Sequence, residues 1–171
     1  MHPLFVAHLV ADFLLQPTWL VVLKQKRWFG IGIHASIHAL VMLLLTFPTT
    51  ALLWAGIIII ALLHAVIDES KVVFQRDHSG FSLGFLVDQI AHFSVLLLVV
   101  LFVPYQSSFW AGEKGLLVGG LLLFMSFGWA VYNLLTIKEH PLTNARATVG
   151  RMLLVVVTFL LFIVPSLLLR P

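Results

Sequence analysis

The fold is decided by residues 50–72, which read TALLWAGIIIIALLHAVIDESKV, an apolar run that contains only His64 and Asp68 as ionisable groups before its charged end. About 20 apolar residues form a helix that crosses a bilayer, so this stretch predicts a transmembrane helix. Similar stretches span residues 3–23, 29–47, 83–103, 115–137 and 150–169. Lipid offers the backbone no hydrogen-bond partners, and none of these stretches alternates like a strand. We therefore expect an all-α integral membrane protein of about six transmembrane helices.

The composition agrees with this fold class. Only 10% of the 171 residues are charged, whereas soluble domains contain roughly 25%. The absence of cysteine excludes disulfides, thiolate zinc sites and a cysteine nucleophile. The net charge of +3 is too small to indicate a nucleic-acid partner, so the expected partner is the lipid bilayer. Nothing in the sequence specifies an oligomeric state.

The distribution of Lys and Arg predicts the orientation of the chain. The loops after the first, third and fifth helices carry Lys24, Lys26, Arg27, Lys71, Arg76, Lys138, Arg146 and Arg151. The opposite side carries only Lys114 and Arg170. Because short basic loops stay in the cytoplasm, both termini should face away from it.

Pro17 divides the first apolar stretch. Proline removes a backbone donor and clashes with the preceding turn, so the helix should kink or stop near Gln16. Residues 17–28 would then lie along the membrane interface, with their basic side chains, including Lys24, in water. A straight helix over residues 3–23 is the alternative.

The ionisable residues inside the apolar stretches follow a repeated pattern. Three of the four aspartates lie in spans, although a charge at mid-membrane costs on the order of 3 kcal/mol. Each has a histidine four residues away, and the second helix carries two histidines at the same spacing. The four pairs are His8–Asp12, His34–His38, His64–Asp68 and Asp88–His92. This spacing places both members on one helix face, so the first four helices should turn these faces toward a common bundle axis.

Helix direction sorts the eight residues into two layers about 6 Å apart. Helices one and three run toward the cytoplasm, and helices two and four run away from it. The outer layer would contain His8, His38, His64 and His92, and the inner layer Asp12, His34, Asp68 and Asp88. Both layers should lie in the cytoplasmic third of the membrane.

These residue types indicate a metal site. Imidazole and carboxylate suit zinc, iron and manganese, and two divalent ions would balance three buried carboxylates. We therefore expect a two-metal centre with all eight residues as candidate ligands, zinc as the first choice, and at least one bridging aspartate. Some of the eight, or Gln16 and Gln89, would orient ligands instead. Lys71 is either a cation for an anionic substrate group or an ordinary interfacial lysine.

The pairs divide the chain into two parts. Residues 1–103 would form a four-helix metal-site bundle, and residues 104–171 would add two scaffold helices within the same membrane domain. The last two helices carry no pair of this kind.

Four motifs together resemble an uncharacterised family of small bacterial inner-membrane proteins, a domain of unknown function. They are HLVADFLLQ at 8–16, HASIH at 34–38, HAVIDESK at 64–71 and DQIAH at 88–92. The resemblance covers about residues 2–103. It implies an inner-membrane location and brings no established reaction. The chain is also similar, more weakly, to membrane-bound metal-dependent hydrolases and zinc-dependent phospholipases C. It differs from them in lacking a glutamate ligand and a matching N-terminal tryptophan.

The favoured function is a metal-dependent hydrolase that acts on a lipid-like or phosphorylated amphipathic substrate at the cytoplasmic leaflet. Asp12 or Asp68 would act as general base and Lys71 would neutralise the anionic group. A metal- or proton-coupled transporter is the first alternative, because ionisable residues in spans also mark ion pathways. A di-iron oxidase is the second. A haem protein would leave the three aspartates without a role.

Overall fold

The computed structural model describes residues 2–74, 83–103, 105, 107–136 and 156, and all regular structure in these residues is helical. The elements are α1 (Pro3–Leu9), a π-helical turn (Val10–Leu14), α2 (Thr18–Lys26), α3 (Trp28–Thr46), α4 (Ala51–Phe74), α5 (Leu83–Phe102), α6 (Ser108–Ala111) and α7 (Glu113–Thr136). The predicted helix at 150–169 lies outside the described residues except for Val156, as do the predicted loop residues Arg76, Lys138, Arg146 and Arg151.

Two described helices are long and apolar enough to cross a membrane, Trp28–Thr46 and Ala51–Val73. The bent pair Pro3–Leu14 and Trp19–Lys26 supplies a third span if it is counted as one. The part of α5 from Val87 to Phe102 is also apolar. The described part of the chain therefore supports an all-helical membrane protein with two to three spans.

The first apolar stretch is broken, as the proline predicted. A hydrogen bond from Leu15 N to Val10 O (3.0 Å) closes the π turn, and α2 begins after Pro17. The two segments meet at 92°. A straight helix over residues 3–23 is therefore wrong. The helical turns end at Leu14, two residues before the expected position.

Helix α2 folds back closely against α3. Arg27 is extended and separates the two helices, and Gly30 lies in the first turn of α3. A Cβ atom at Gly30 would lie only 2.7 Å from the backbone of Leu23 and Lys24. Glycine therefore permits a backbone approach that any larger residue would oppose.

The core of the bundle lies between α1, α3, α4 and α5. On one side of the eight paired His and Asp residues, this core is apolar. Leu4, Met42, Ile60 and Leu96 are each at most 2% exposed. Each lies four residues from a histidine of the predicted outer layer, so together they form an apolar layer one helical turn beyond it. We call these four residues the apolar layer.

The last described helix supports the π turn. Leu123 of α7 is fully buried and forms a cluster with Leu9 and Phe13, which flank Asp12 in the first helical segment. Thus α7 packs against the irregular turn from outside the four paired helices.

Candidate metal centre

All four predicted pairs converge in one buried space. The side chains come from α1 with its π turn, from α3, from α4 and from α5. Each of the eight residues is at most 6% exposed: His8, Asp12, His34, His38, His64, Asp68, Asp88 and His92. The expected convergence on a common axis is therefore confirmed.

Asp12 lies at the centre of this cluster. Its Oδ1 accepts hydrogen bonds from Nε2 of His34 (2.9 Å) and Nε2 of His38 (3.0 Å). The same oxygen lies 3.9 Å from His64 Nε2, and Oδ2 lies 3.4 Å from His8 Nε2. One carboxylate thus contacts imidazoles from three helices.

The four histidines of the predicted outer layer lie close together. The ring centroids of His38 and His64 are 3.7 Å apart, and those of His64 and His92 are 4.2 Å apart. His8 lies 5.0 Å from His38 and 5.3 Å from His92. Four imidazoles from four helical segments therefore pack against one another, with their ring planes tilted.

The inner layer differs from the expectation at His34, whose ring centroid lies 4.7 Å from that of His38 and 5.0 Å from that of His64, and at Asp12. This carboxylate contacts His38 of the outer layer as closely as His34 of the inner one, so a separation of about 6 Å does not hold there. The residue lies within the π turn, where the helix is wider and residues no longer follow the 3.6-residue repeat. Spacing along a regular helix therefore does not predict its position.

Asp68 is paired with a lysine that the sequence did not assign to the site. Lys24 Nζ donates to Asp68 Oδ2 at 2.7 Å, and its side chain is only 12% exposed. The expectation that Lys24 lies in water is therefore wrong. The reason is that α2 folds back at 92° and packs on α3, which carries Lys24 toward α4. The two residues are 44 positions apart, and nothing in their local sequence signals the contact.

Asp88 is paired with the lysine that the sequence did single out. Lys71 Nζ donates to Asp88 Oδ2 at 2.6 Å, and the amide of Gln89 donates to the same oxygen at 3.2 Å. Lys71 therefore binds a carboxylate of the cluster and is half-buried there. Asp88 stands at the edge of the site and contacts His92 at 3.7 Å.

Two sets of side chains among the described residues are close enough to hold a metal ion. One contains Asp12, His34, His38 and His64, the other His64, Asp68 and His92, and within each set the ligand atoms all lie within 4.8 Å of one another. Four ligands at about 2.0–2.1 Å from a tetrahedral ion lie about 3.4 Å apart. The distances of Asp12 Oδ1 to the three imidazoles of its set, 2.9, 3.0 and 3.9 Å, bracket that value.

Several ring nitrogens of the cluster have no hydrogen-bond partner among the described residues. His92 Nδ1 donates to the backbone carbonyl of Asp88 at 2.9 Å, which leaves the Nε2 lone pair turned away from that bond. His92 Nε2 and both ring nitrogens of His8 and His64 are buried without a hydrogen-bond partner among the described residues. Buried polar atoms in proteins are almost always paired, so these nitrogens indicate a missing partner. The amide of Gln16 lies 2.8 Å from His34 Nε2, where it orients that ring.

Fold and cluster together define the class of protein: an all-helical membrane protein with a buried His/Asp cluster that could hold metal. Residues 1–114 match the family described as "Protein of unknown function (DUF3307)". The chain belongs to this family, which confirms the resemblance carried by the four motifs. The matched region contains all eight cluster residues. No curated protein and no solved structure matches the chain.

Proposed function

We propose that the chain is a membrane-embedded hydrolase with two divalent metal ions, zinc by preference, that acts on a lipid-like or phosphorylated amphipathic substrate. The observation that carries the proposal is the convergence of two potential ligand sets on one buried space. The proposal places this space near the cytoplasmic face of a bacterial inner membrane. It retains six transmembrane helices with both termini away from the cytoplasm, supported by the distribution of Lys and Arg.

The two sets share His64, so two ions at once require a further ligand. His8 would supply it, because both of its nitrogens lack a hydrogen-bond partner among the described residues and its Nε2 lies 3.4 Å from Asp12 Oδ2. The first ion would then be held by Asp12, His34, His38 and His8. The second would be bound by His64, Asp68 and His92. Three protein ligands with an open fourth position are typical of catalytic zinc.

The chemistry follows from the second set. A bound zinc ion lowers the pKa of a water molecule toward 7 and polarises the oxygen of a carbonyl or phosphoryl group. Among the two aspartates proposed as general base, Asp68 is better placed, since Asp12 is surrounded by imidazoles. The contacts of Asp68 with Lys24, His34 and His64 all use Oδ2. Its Oδ1 is the oxygen that would accept a proton from water.

The apolar layer favours an enzyme over the transporter alternative. Leu4, Met42, Ile60 and Leu96 lie one turn beyond the histidines and are fully packed. A transport path has to continue with polar groups toward the opposite face, and these four side chains offer none. The oxidase alternative would use the same ligands with iron, so the identity of the metal separates it from hydrolysis.

The test is metal-dependent hydrolysis by the purified full-length protein in detergent micelles. Phosphomonoester and carboxylester lipids are supplied with zinc, manganese or iron, and release of phosphate or fatty acid is measured. We expect turnover with zinc or manganese that chelation abolishes and that Asp68→Asn lowers at least a hundredfold. Lys26→Gln, an exposed change on α2, is the matched control and should retain wild-type turnover. Oxygen consumption by the iron-loaded protein without hydrolysis would instead support the oxidase.

A further inference from the structure

The charges of the site suggest what it must bind once metal is present. Three carboxylates face two ammonium groups, those of Lys24 and Lys71, so the cluster carries one net negative charge when its imidazoles are neutral. One divalent ion would make this sum positive by one, and two ions would make it positive by three. Uncompensated charge in a buried site is costly. The metal-loaded cluster therefore requires anions.

We propose that Lys24 forms an anion-binding subsite beside the second metal position and that its ligand is a phosphomonoester dianion. This inference rests on the metal centre proposed above and narrows its substrate class. A hydroxide and a phosphomonoester dianion together carry three negative charges, which balance the two-metal site. A neutral carboxylic ester or amide leaves it positively charged.

The geometry around Asp68 explains why Lys24 becomes available. Lys24 Nζ and the second ligand set use the same carboxylate, and Nζ lies 2.7 Å from Asp68 Oδ2. An ion bound to that oxygen at about 2.0 Å would lie no more than about 4.7 Å from Nζ. The positive charge of this ion would weaken the attraction between Asp68 and Lys24. A tetrahedral oxyanion can then present one oxygen to the ion and another to the ammonium group.

The position of the two lysines supports entry of the anion from their side of the cluster. The side chains of Lys24 and Lys71 are 12% and 31% exposed, whereas the imidazoles behind them are at most 3% exposed. Arg27, the residue that follows α2, is exposed. A basic entrance of this kind attracts anionic groups at the membrane surface.

The inference is tested with inorganic phosphate as the probe on the full-length protein in detergent. Binding is measured by calorimetry on zinc-loaded and chelator-treated samples of wild type, Lys24→Gln and the matched control Lys26→Gln. We expect zinc-loaded wild type to bind phosphate and chelated protein not to bind it. Loss of one charged hydrogen bond should weaken phosphate binding by about tenfold or more in Lys24→Gln. The Lys26→Gln variant should stay within about twofold of wild type, since its exposed charge contributes little.

Zinc affinity distinguishes this role from a structural one. If Lys24 competes with the ion for Asp68, Lys24→Gln should bind zinc as tightly as wild type or more tightly while it binds phosphate more weakly. A misfolded variant would lose both ligands. Phosphate binding that is unchanged in Lys24→Gln, or equal with and without zinc, overturns the inference and leaves the metal centre standing. A wild-type protein that binds no zinc overturns both.

A parallel titration with phosphatidic acid in mixed micelles identifies the source of the phosphate group. Tighter binding of the lipid than of inorganic phosphate supports the subsite and assigns it to a headgroup. The reverse order supports the subsite and assigns it to a soluble phosphomonoester. Failure of both ligands to bind the zinc-loaded protein overturns the inference.

Discussion

Replacing Gly30 with alanine tests whether α2 is held against α3 as the structure shows, a contact on which the position of Lys24 depends. An added Cβ would lie 2.7 Å from the carbonyl carbon of Leu23 and from the nitrogen of Lys24, whereas ordinary contact begins at 3.4 Å. The two backbones must therefore separate by about 0.7 Å, and overpacking of this kind costs about 1–3 kcal/mol.

Gly32 provides the matched control, because a Cβ there meets nothing within 4 Å. Both glycines lie in α3, so either change to alanine raises helix propensity, by up to about 1 kcal/mol. The difference between the two variants therefore reports packing against α2. At about 2–4 °C per kcal/mol for a chain of this size, Gly30→Ala should unfold roughly 2–12 °C below Gly32→Ala.

The assay is thermal unfolding in detergent, followed by circular dichroism at equal protein concentration. Equal midpoints for the two variants would refute the close approach of α2 to α3. A higher midpoint for Gly30→Ala would do so as well. In either case Lys24 would no longer be expected beside Asp68.

Two further predictions concern the centre and its support. Asp12→Asn should weaken zinc binding at least a hundredfold, because Asp12 is the one carboxylate of the first ligand set. Asp88→Asn, at the edge of the cluster, should weaken it less than tenfold. A competition titration with a coloured chelator measures both affinities, and equal losses would count against the assignment. Leu123→Ala should destabilise the protein by about 2–5 kcal/mol through a cavity beside the π turn. Leu121→Ala, on the exposed face of α7, should change stability by less than about 0.5 kcal/mol. Denaturant unfolding compares the two variants, and unchanged stability of Leu123→Ala would show that α7 does not support the turn.

The convergence of the cluster could be predicted from the sequence because its signal is local. A pair such as His64 and Asp68 lies on one face of a regular helix, and lipid excludes that face from the outside. The break at Pro17 is equally local, since the missing donor and the ring clash act on the adjacent turn. The pairs therefore predict four helices around one axis, and Pro17 predicts the break after the first of them.

The contacts that depend on irregular backbone could not be predicted. The π turn brings Asp12 within hydrogen-bond distance of both His34 and His38. No residue type between positions 10 and 14 requires a π turn. The contact of Lys24 with Asp68 depends on the path of α2 after the break, which follows from packing at Gly30 and not from the sequence near either partner. The number of transmembrane spans depends on hydropathy along whole stretches of the chain. Within the described residues, two helices and one bent pair are long and apolar enough to cross a bilayer.

The metal content of the wild-type protein tests the central claim most directly. The full-length chain is purified in detergent without chelators, incubated with zinc, separated from unbound ions and analysed for metal and protein on the same sample. The two ligand sets, completed by His8, predict two zinc ions per chain. Less than one equivalent of zinc, with manganese and iron giving no more, would contradict a metal centre built from these histidines and aspartates.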